Sequence, residues 1–290
     1  MLNAKQTENK SVPFWLWPNV LGLDAPIVAV VWQYLFAAVF GIKIPASNYL
    51  ALFLVVWVIY SVDRLLDAKM LSSKINSTTR HNYYHQNYRV LYFVTAIIAI
   101  FTAVICLTSI PFAVLKFGLM ISCFVIVYFI HRKWGRGGMI VFLPKEIFVG
   151  LVFAIGTTLI GYTWTREVPD VFLSIPVIGF GVLCSMNCLA ISVWEKDSDA
   201  FNDNSALPQL LPQFASHFSL ISLIVFLIMS FITFTLFRSE DFLVLLAASL
   251  GCGVISLISF FENRVSNQLI RVLADVAVLA PALLIIIFLK

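Results

Sequence analysis

The chain has 290 residues, of which 61% are hydrophobic and 12% charged. A soluble domain of this length needs far more polar surface, so a water-soluble globular enzyme is excluded. The formal charge of +4 is too small to point to nucleic acid.

Residues 1–23 are polar at first and then rich in Trp and Pro (Phe14, Trp15, Trp17, Pro18). They read as an interfacial segment with its aromatics at headgroup level. No cleavable signal peptide is evident, so the first span is expected to serve as the insertion signal. Apolar runs then follow at 25–42, 48–66, 90–108, 112–130, 139–161, 171–194, 217–237, 242–261 and 269–289. A bilayer-crossing helix needs about 20 apolar residues, so these runs predict about nine spans. No alternating polarity of a β-barrel is present. The expected fold class is therefore all-α: a single polytopic membrane domain over residues 1–290.

Basic residues alternate between the two ends of these spans. One side holds Lys5, Lys10, Lys69, Lys74, Arg80, Arg89, Arg132, Lys133, Arg136, Lys196, Arg264 and Arg271. The other holds Lys43, Lys116, Arg166, Arg238 and Lys290. By the positive-inside rule the first side is cytoplasmic, and the plasma (inner) membrane is the expected location. All five cysteines fall in apolar runs. Cys184 and Cys188 lie one helical turn apart, where a metal site competes with the commoner reading as small buried side chains.

Two acidic stretches end two of the runs. The second run closes on Tyr60-Ser61-Val62-Asp63-Arg64-Leu65-Leu66-Asp67, the sixth on Trp194-Glu195-Lys196-Asp197-Ser198-Asp199. Asp63 with Asp67, and Glu195 with Asp199, have the i, i+4 spacing that puts both carboxylates on one helix face. Carboxylates at the end of a span are expensive and usually functional. Two such pairs can face each other across one cavity; the alternative is two solvated helix ends.

Other polar residues near or within the spans have two readings each. Asn187 lies on the face of Glu195, two turns earlier, and either binds a substrate or hydrogen-bonds between helices. Lys145 with Glu146, and Arg271 with Asp275, read as structural ion pairs or as parts of a site. His81 and His85 are solvated loop histidines or, less expectedly, metal ligands.

The two acidic stretches read Ile59-x-x-x-Asp63-x-x-x-Asp67 and Ile191-x-x-x-Glu195-x-x-x-Asp199, with Leu207-Pro208 after the second and Thr79-Arg80-His81 after the first. On these motifs, from about residue 20 to 290, the chain resembles the UbiA superfamily of intramembrane prenyltransferases. The family's leading Asn is Ile in both motifs here, and one Asp is Glu, so the resemblance is to a divergent branch.

The resemblance implies a nine-helix bundle whose central cavity opens to the cytoplasm. It also implies Mg²⁺ held by Asp63, Asp67, Glu195 and Asp199, a prenyl diphosphate donor, and a lipid-soluble or aromatic acceptor. Carboxylate oxygens suit Mg²⁺, which offsets the charge of a departing diphosphate. Arg64, Lys74, Arg80, Arg132 and Lys145 are the candidate phosphate contacts, and Asn187 a candidate acceptor contact. Tyr60, Tyr128 and Trp194 are the aromatics placed to face an allylic cation. A terpene cyclase with the same site, a transporter using the acidic pairs as a cation site, and a non-catalytic member are the competing readings.

Overall fold

The computed structural model describes residues 12–70, 79–134, 144–161, 174–196 and 206–289. Every regular element among them is helical. In hydrocarbon an unpaired backbone amide is costly, so a continuous apolar run satisfies its backbone internally as a helix.

After a single 3₁₀ turn, Phe14–Leu16, the helices run α1 (Trp17–Leu21), α2 (Asp24–Val39), α3 (Ala46–Met70), α4 (Thr79–Gln86) and α5 (Tyr88–Ser109). Next come α6 (Phe112–Trp134), α7 (Lys145–Thr158), α8 (Ile175–Trp194), α9 (Leu207–Leu210) and α10 (Pro212–Ser216). The last three are α11 (Phe218–Thr235), α12 (Phe242–Phe260) and α13 (Asn267–Leu289).

Each expected apolar run contains a helix, but fewer than nine have the dimensions of a span. Six described helices (α3, α5, α8, α11, α12 and α13) are long and apolar enough to cross a membrane, or seven if the bent pair Phe14–Leu21 and Asp24–Val39 counts as one. The remaining runs differ in their described parts. α7 has only 14 residues, beginning after Pro144 and passing into a turn at Leu159. The described apolar part of α6 is Phe112–Val127. The first run, 25–42, is preceded by a bend at Gly22, whose φ of 69° caps α1 and lets the chain turn through 81° into α2. A left-handed residue at this position favours glycine.

α2 lies between α3 and α13, and the row continues through α12 to α11 on one side and α5 on the other. α8 rests on α12 and α13, and α7 on α8. The main core fills the space among α2, α7, α8, α12 and α13. At its centre Trp32 stacks on Phe180 at 4.0 Å, both fully buried. The Trp32 indole N–H donates to Val278 O at 2.9 Å. Pro281 lies inside α13 and cannot donate to Ala277 O, so the ladder is interrupted next to that contact. Gly251 of α12 lies close to the freed carbonyl; a Cβ there would sit 2.9 Å from Ala277 O.

Trp32→Ala removes the stack and the indole hydrogen bond together. The expected loss is about 3–5 kcal/mol, read as a lower unfolding midpoint in detergent. α5 by contrast exposes Val90, Phe93, Ile97, Ile100, Phe101, Val104 and Leu107. An apolar face of that extent is incompatible with water and matches a lipid environment.

Candidate functional site

Buried charge gathers at one end of the bundle, and the N-terminal segment begins it. The turn at Gly22 brings Asn19 of α1 back over the start of α2. There the Asn19 Nδ2 donates to Asp24 Oδ2 at 2.7 Å. Asp24 is the first residue of α2, where the helix dipole favours an anion, and its Oδ1 accepts from Ala25 N at 2.9 Å.

Arg64 reaches this corner from α3. It is 4% exposed. Its Nη1 donates to Asn19 O at 2.9 Å, its Nη2 lies 3.8 Å from Asp24 Oδ1, and its guanidinium sits 5.7 Å from the centre of the Tyr84 ring. Tyr84 is itself buried and comes from α4, which packs against α3 and α1. Trp57, two turns earlier on α3, donates to Leu21 O at 3.0 Å. The C-terminal part of α3 is thereby clamped to the N-terminal turn.

α13 enters from the opposite side with Arg271 and Asp275 one turn apart. Asp275 Oδ2 lies 3.5 Å from Asn19 Nδ2, and the Asp24 carboxyl and the Asn187 amide are within hydrogen-bonding reach of it. Arg271 is buried and forms an ion pair with Glu195, which caps the C-terminus of α8. Arg64 and Arg80 both lie within electrostatic reach of Arg271. Gln268 Nε2, just before Arg271, donates to Thr79 Oγ1 at 2.9 Å and joins α13 to α4.

α7 contributes Glu146, 3% exposed. Its Oε1 accepts from Ser192 Oγ at 2.9 Å and from Leu207 N at 3.1 Å, so one carboxylate oxygen joins α7, α8 and α9. Cys188 lies within electrostatic reach of Glu146, Asp275 and Lys145. Tyr60 of α3 lies within reach of Asp24, Asp275, Cys184 and Cys188. Five helices thus border one polar interior: α2 through Asp24, α3 through Tyr60 and Arg64, α7 through Glu146, α8 through Asn187 and Cys188, and α13 through Asp275. Charges this deeply placed persist only when paired and hydrogen-bonded, and here Arg64 and Arg271 each have an acidic neighbour.

The sequence candidates distribute unevenly over this arrangement. Asp63 and Asp67 lie on α3, half-buried, and both are engaged. Arg64 points into the protein, onto Asn19, Asp24 and Tyr84. Arg80 starts α4, and its buried Nε has no hydrogen-bond partner. Lys145 precedes Glu146 in the first turn of α7 and is also engaged. Asn187 contacts Asp275 across the α8–α13 interface, while its Oδ1 is buried without a partner. Lys74 and Asp199 lie outside the described residues, as does the side chain of Arg132. His85 Nδ1 sits 3.2 Å from Ala68 O, and Cys184 and Cys188 are free thiols.

Sequence reasoning passed over Asn19 and Asp24. The signal was an acid just before the first apolar run, two residues after a glycine. Among the described residues no group of three or more His, Cys, Asp or Glu is arranged to hold a metal ion. No protein-family model, curated protein or solved structure matches the chain.

Proposed function

We propose that the chain is a membrane-embedded enzyme that transfers a prenyl group from a prenyl diphosphate to a lipid-soluble or aromatic acceptor, as a divergent UbiA-type bundle of about nine spans. The observation that carries this reading is the meeting of both acid-bearing helix ends, those of α3 and α8, with Arg271 and Asp24 in one buried charged cluster. The basic Arg80 and Lys145 belong to the same end, which becomes the cytoplasmic face under the positive-inside rule.

The reading assigns a chemical part to each feature. A diphosphate is recognised by charge-assisted hydrogen bonds from basic side chains, for which Arg80 and Lys145 stand at the cluster's edge. Arg64 and Arg271 hold the acid-bearing helices in register. α3 and α8 run without extended packing against each other among the described residues; the isoprenoid chain is assigned to the lipid-facing side of this end of the bundle. Tyr60 faces the polar interior, where an aromatic ring stabilises a developing allylic cation.

Asp63 and Asp67 carry the oxygen donors that Mg²⁺ prefers. The described residues do not by themselves assemble a Mg²⁺ site, because no third acid converges with them and Glu195 is paired with Arg271. Mg²⁺ dependence is therefore an outcome of the assay, not a premise of the reading.

The test is diphosphate release from purified protein in liposomes, using labelled prenyl diphosphates from geranyl to long polyprenyl, a membrane lipid extract as acceptor source, and Mg²⁺ or EDTA. Release is expected, with a labelled adduct in the lipid phase. Where release depends on Mg²⁺, Asp63→Ala and Asp67→Ala are each expected to lower it by at least about 100-fold, because the carboxylates that would hold the cation against the leaving diphosphate are lost. A cyclic hydrocarbon in place of an adduct would make the protein a cyclase. No release with any donor, together with cation flux across the same liposomes, would make it a transporter.

A further inference from the structure

Glu146 has one carboxylate oxygen held and one left over. Oε1 accepts from Ser192 Oγ and Leu207 N. Oε2 is buried and has no hydrogen-bond partner. Buried carboxylate oxygens are normally satisfied, since each orphaned one costs desolvation energy without return. A purely structural role, tying α7 to α8 and α9, explains Oε1 and leaves Oε2 without a reason.

The position of Glu146 suggests a use for that oxygen. Pro144 ends the preceding segment and sets the side chain in the first turn of α7. Two donors on Oε1 fix the plane of the carboxylate, so Oε2 has a defined direction. The residue is within electrostatic reach of Cys188, as is Asp275, and Asp275 in turn is within reach of Tyr60 on α3. Glu146 therefore borders, on the α7 side, the interior that the proposed reaction would use.

We infer that Glu146 is the proton acceptor of the transfer step, with Oε2 taking the proton that the acceptor molecule loses when it is prenylated. The inference rests on the proposed prenyl transfer. The C1–O bond of the prenyl diphosphate breaks, and its electron pair leaves with the diphosphate. The acceptor's nucleophilic atom donates a pair to C1, and the hydrogen it carried passes as a proton to Oε2. No oxidant or reductant enters the balance. Ser192 and the Leu207 amide are positioning groups that aim the carboxylate.

The test separates ionisation from capture. Wild type and Glu146→Gln are compared in liposomes with labelled geranylgeranyl diphosphate and a membrane lipid extract. Diphosphate, lipid adduct and prenyl alcohol are measured in one reaction. The glutamine carbonyl still accepts from Ser192 and Leu207 but cannot take a proton. The ratio of adduct to diphosphate is expected to fall about 100-fold, the usual contribution of a positioned base. Prenyl alcohol, formed when water captures the cation, makes up the difference. Glu146→Asp keeps a carboxylate and is expected to recover at least ten-fold of that ratio by the same principle.

An unchanged ratio in Glu146→Gln overturns the inference. So does a fall of adduct and diphosphate in parallel with a lowered unfolding midpoint, which marks a structural role. If Glu146→Gln does not fold, the Glu146→Asp ratio decides alone: a wild-type-like or moderately lowered ratio supports the inference, and a ratio as low as that of a water-capturing enzyme overturns it. No diphosphate release by the wild type overturns the transfer reading itself, and the inference with it.

Discussion

Arg64→Ala destabilises the protein by about 3–5 kcal/mol, the loss expected when one partner of a buried charge pair is removed. The guanidinium is buried, 4% exposed. Asn19 O loses the donor at 2.9 Å, and the Tyr84 ring loses the cation 5.7 Å from its centre. Asp24 keeps its hydrogen bond from Asn19 but faces the neighbouring Asp275 with less positive charge nearby. For a chain of this size the thermal midpoint should fall by roughly 10 °C in detergent. Arg64→Met together with Asp24→Asn should lose less than the sum of the two single changes, because each single change leaves a charge behind. Additive losses would show that Arg64 and Asp24 do not sense each other.

Gly150→Ala is the second large effect, and α7 contains its own control. A Cβ on Gly150 would stand 2.5 Å from Ser185 Oγ and 2.6 Å from Ser185 Cα on α8. Backbone cannot rotate away as a side-chain tip can, so the two helices must separate. Small residues at such crossings exist to let backbones approach. Overpacking of this kind costs about 1–3 kcal/mol. The loss of function should exceed the loss of stability, because a shift of α7 carries Glu146 away from Ser192, one of the two donors that aim it. On the same helix, Gly156 has nothing within 4 Å of its would-be Cβ. Gly156→Ala should therefore stabilise by about 0.5–1 kcal/mol through helix propensity alone. Equal effects at the two positions, measured as unfolding midpoints, would refute the close crossing.

The helices are legible in the sequence because lipid demands long apolar runs, and α3, α5, α8, α11, α12 and α13 fall where the runs fall. Their packing is less legible. Nothing local in the sequence says that Arg271 pairs with Glu195 rather than with Asp275 one turn along its own helix. That choice is made by the approach of α13 to the end of α8. Arg64 reads as a phosphate contact because it sits between Asp63 and Asp67. Its inward orientation depends on an α1 turn more than forty positions earlier, as the Arg64–Asn19 contact shows. Asp24 escapes notice because an acid at a run boundary looks like an ordinary interfacial residue until Gly22 folds Asn19 onto it. The acidic stretches predict that the ends of α3 and α8 face each other; the link the structure gives between them runs through Arg271, which pairs with Glu195 and has Arg64 within electrostatic reach.

The clamp around Arg64 bears on how the protein is made. A ribosome delivers Asn19 and Asp24 first, so their carbonyl and carboxylate are waiting when the next span emerges with its guanidinium. A cation entering hydrocarbon alone is expelled; one that meets its counter-charge during insertion is not. The first two spans should therefore leave the translocon as a hairpin, with Trp57 and Arg64 docked on the turn at Leu21 and Gly22. Arg271, synthesised after the other helices described, joins α8 to the cluster later. The two arginines that tie the charged end together thus meet their acids at different stages of synthesis, the α13–α8 tie forming after the Arg64 clamp.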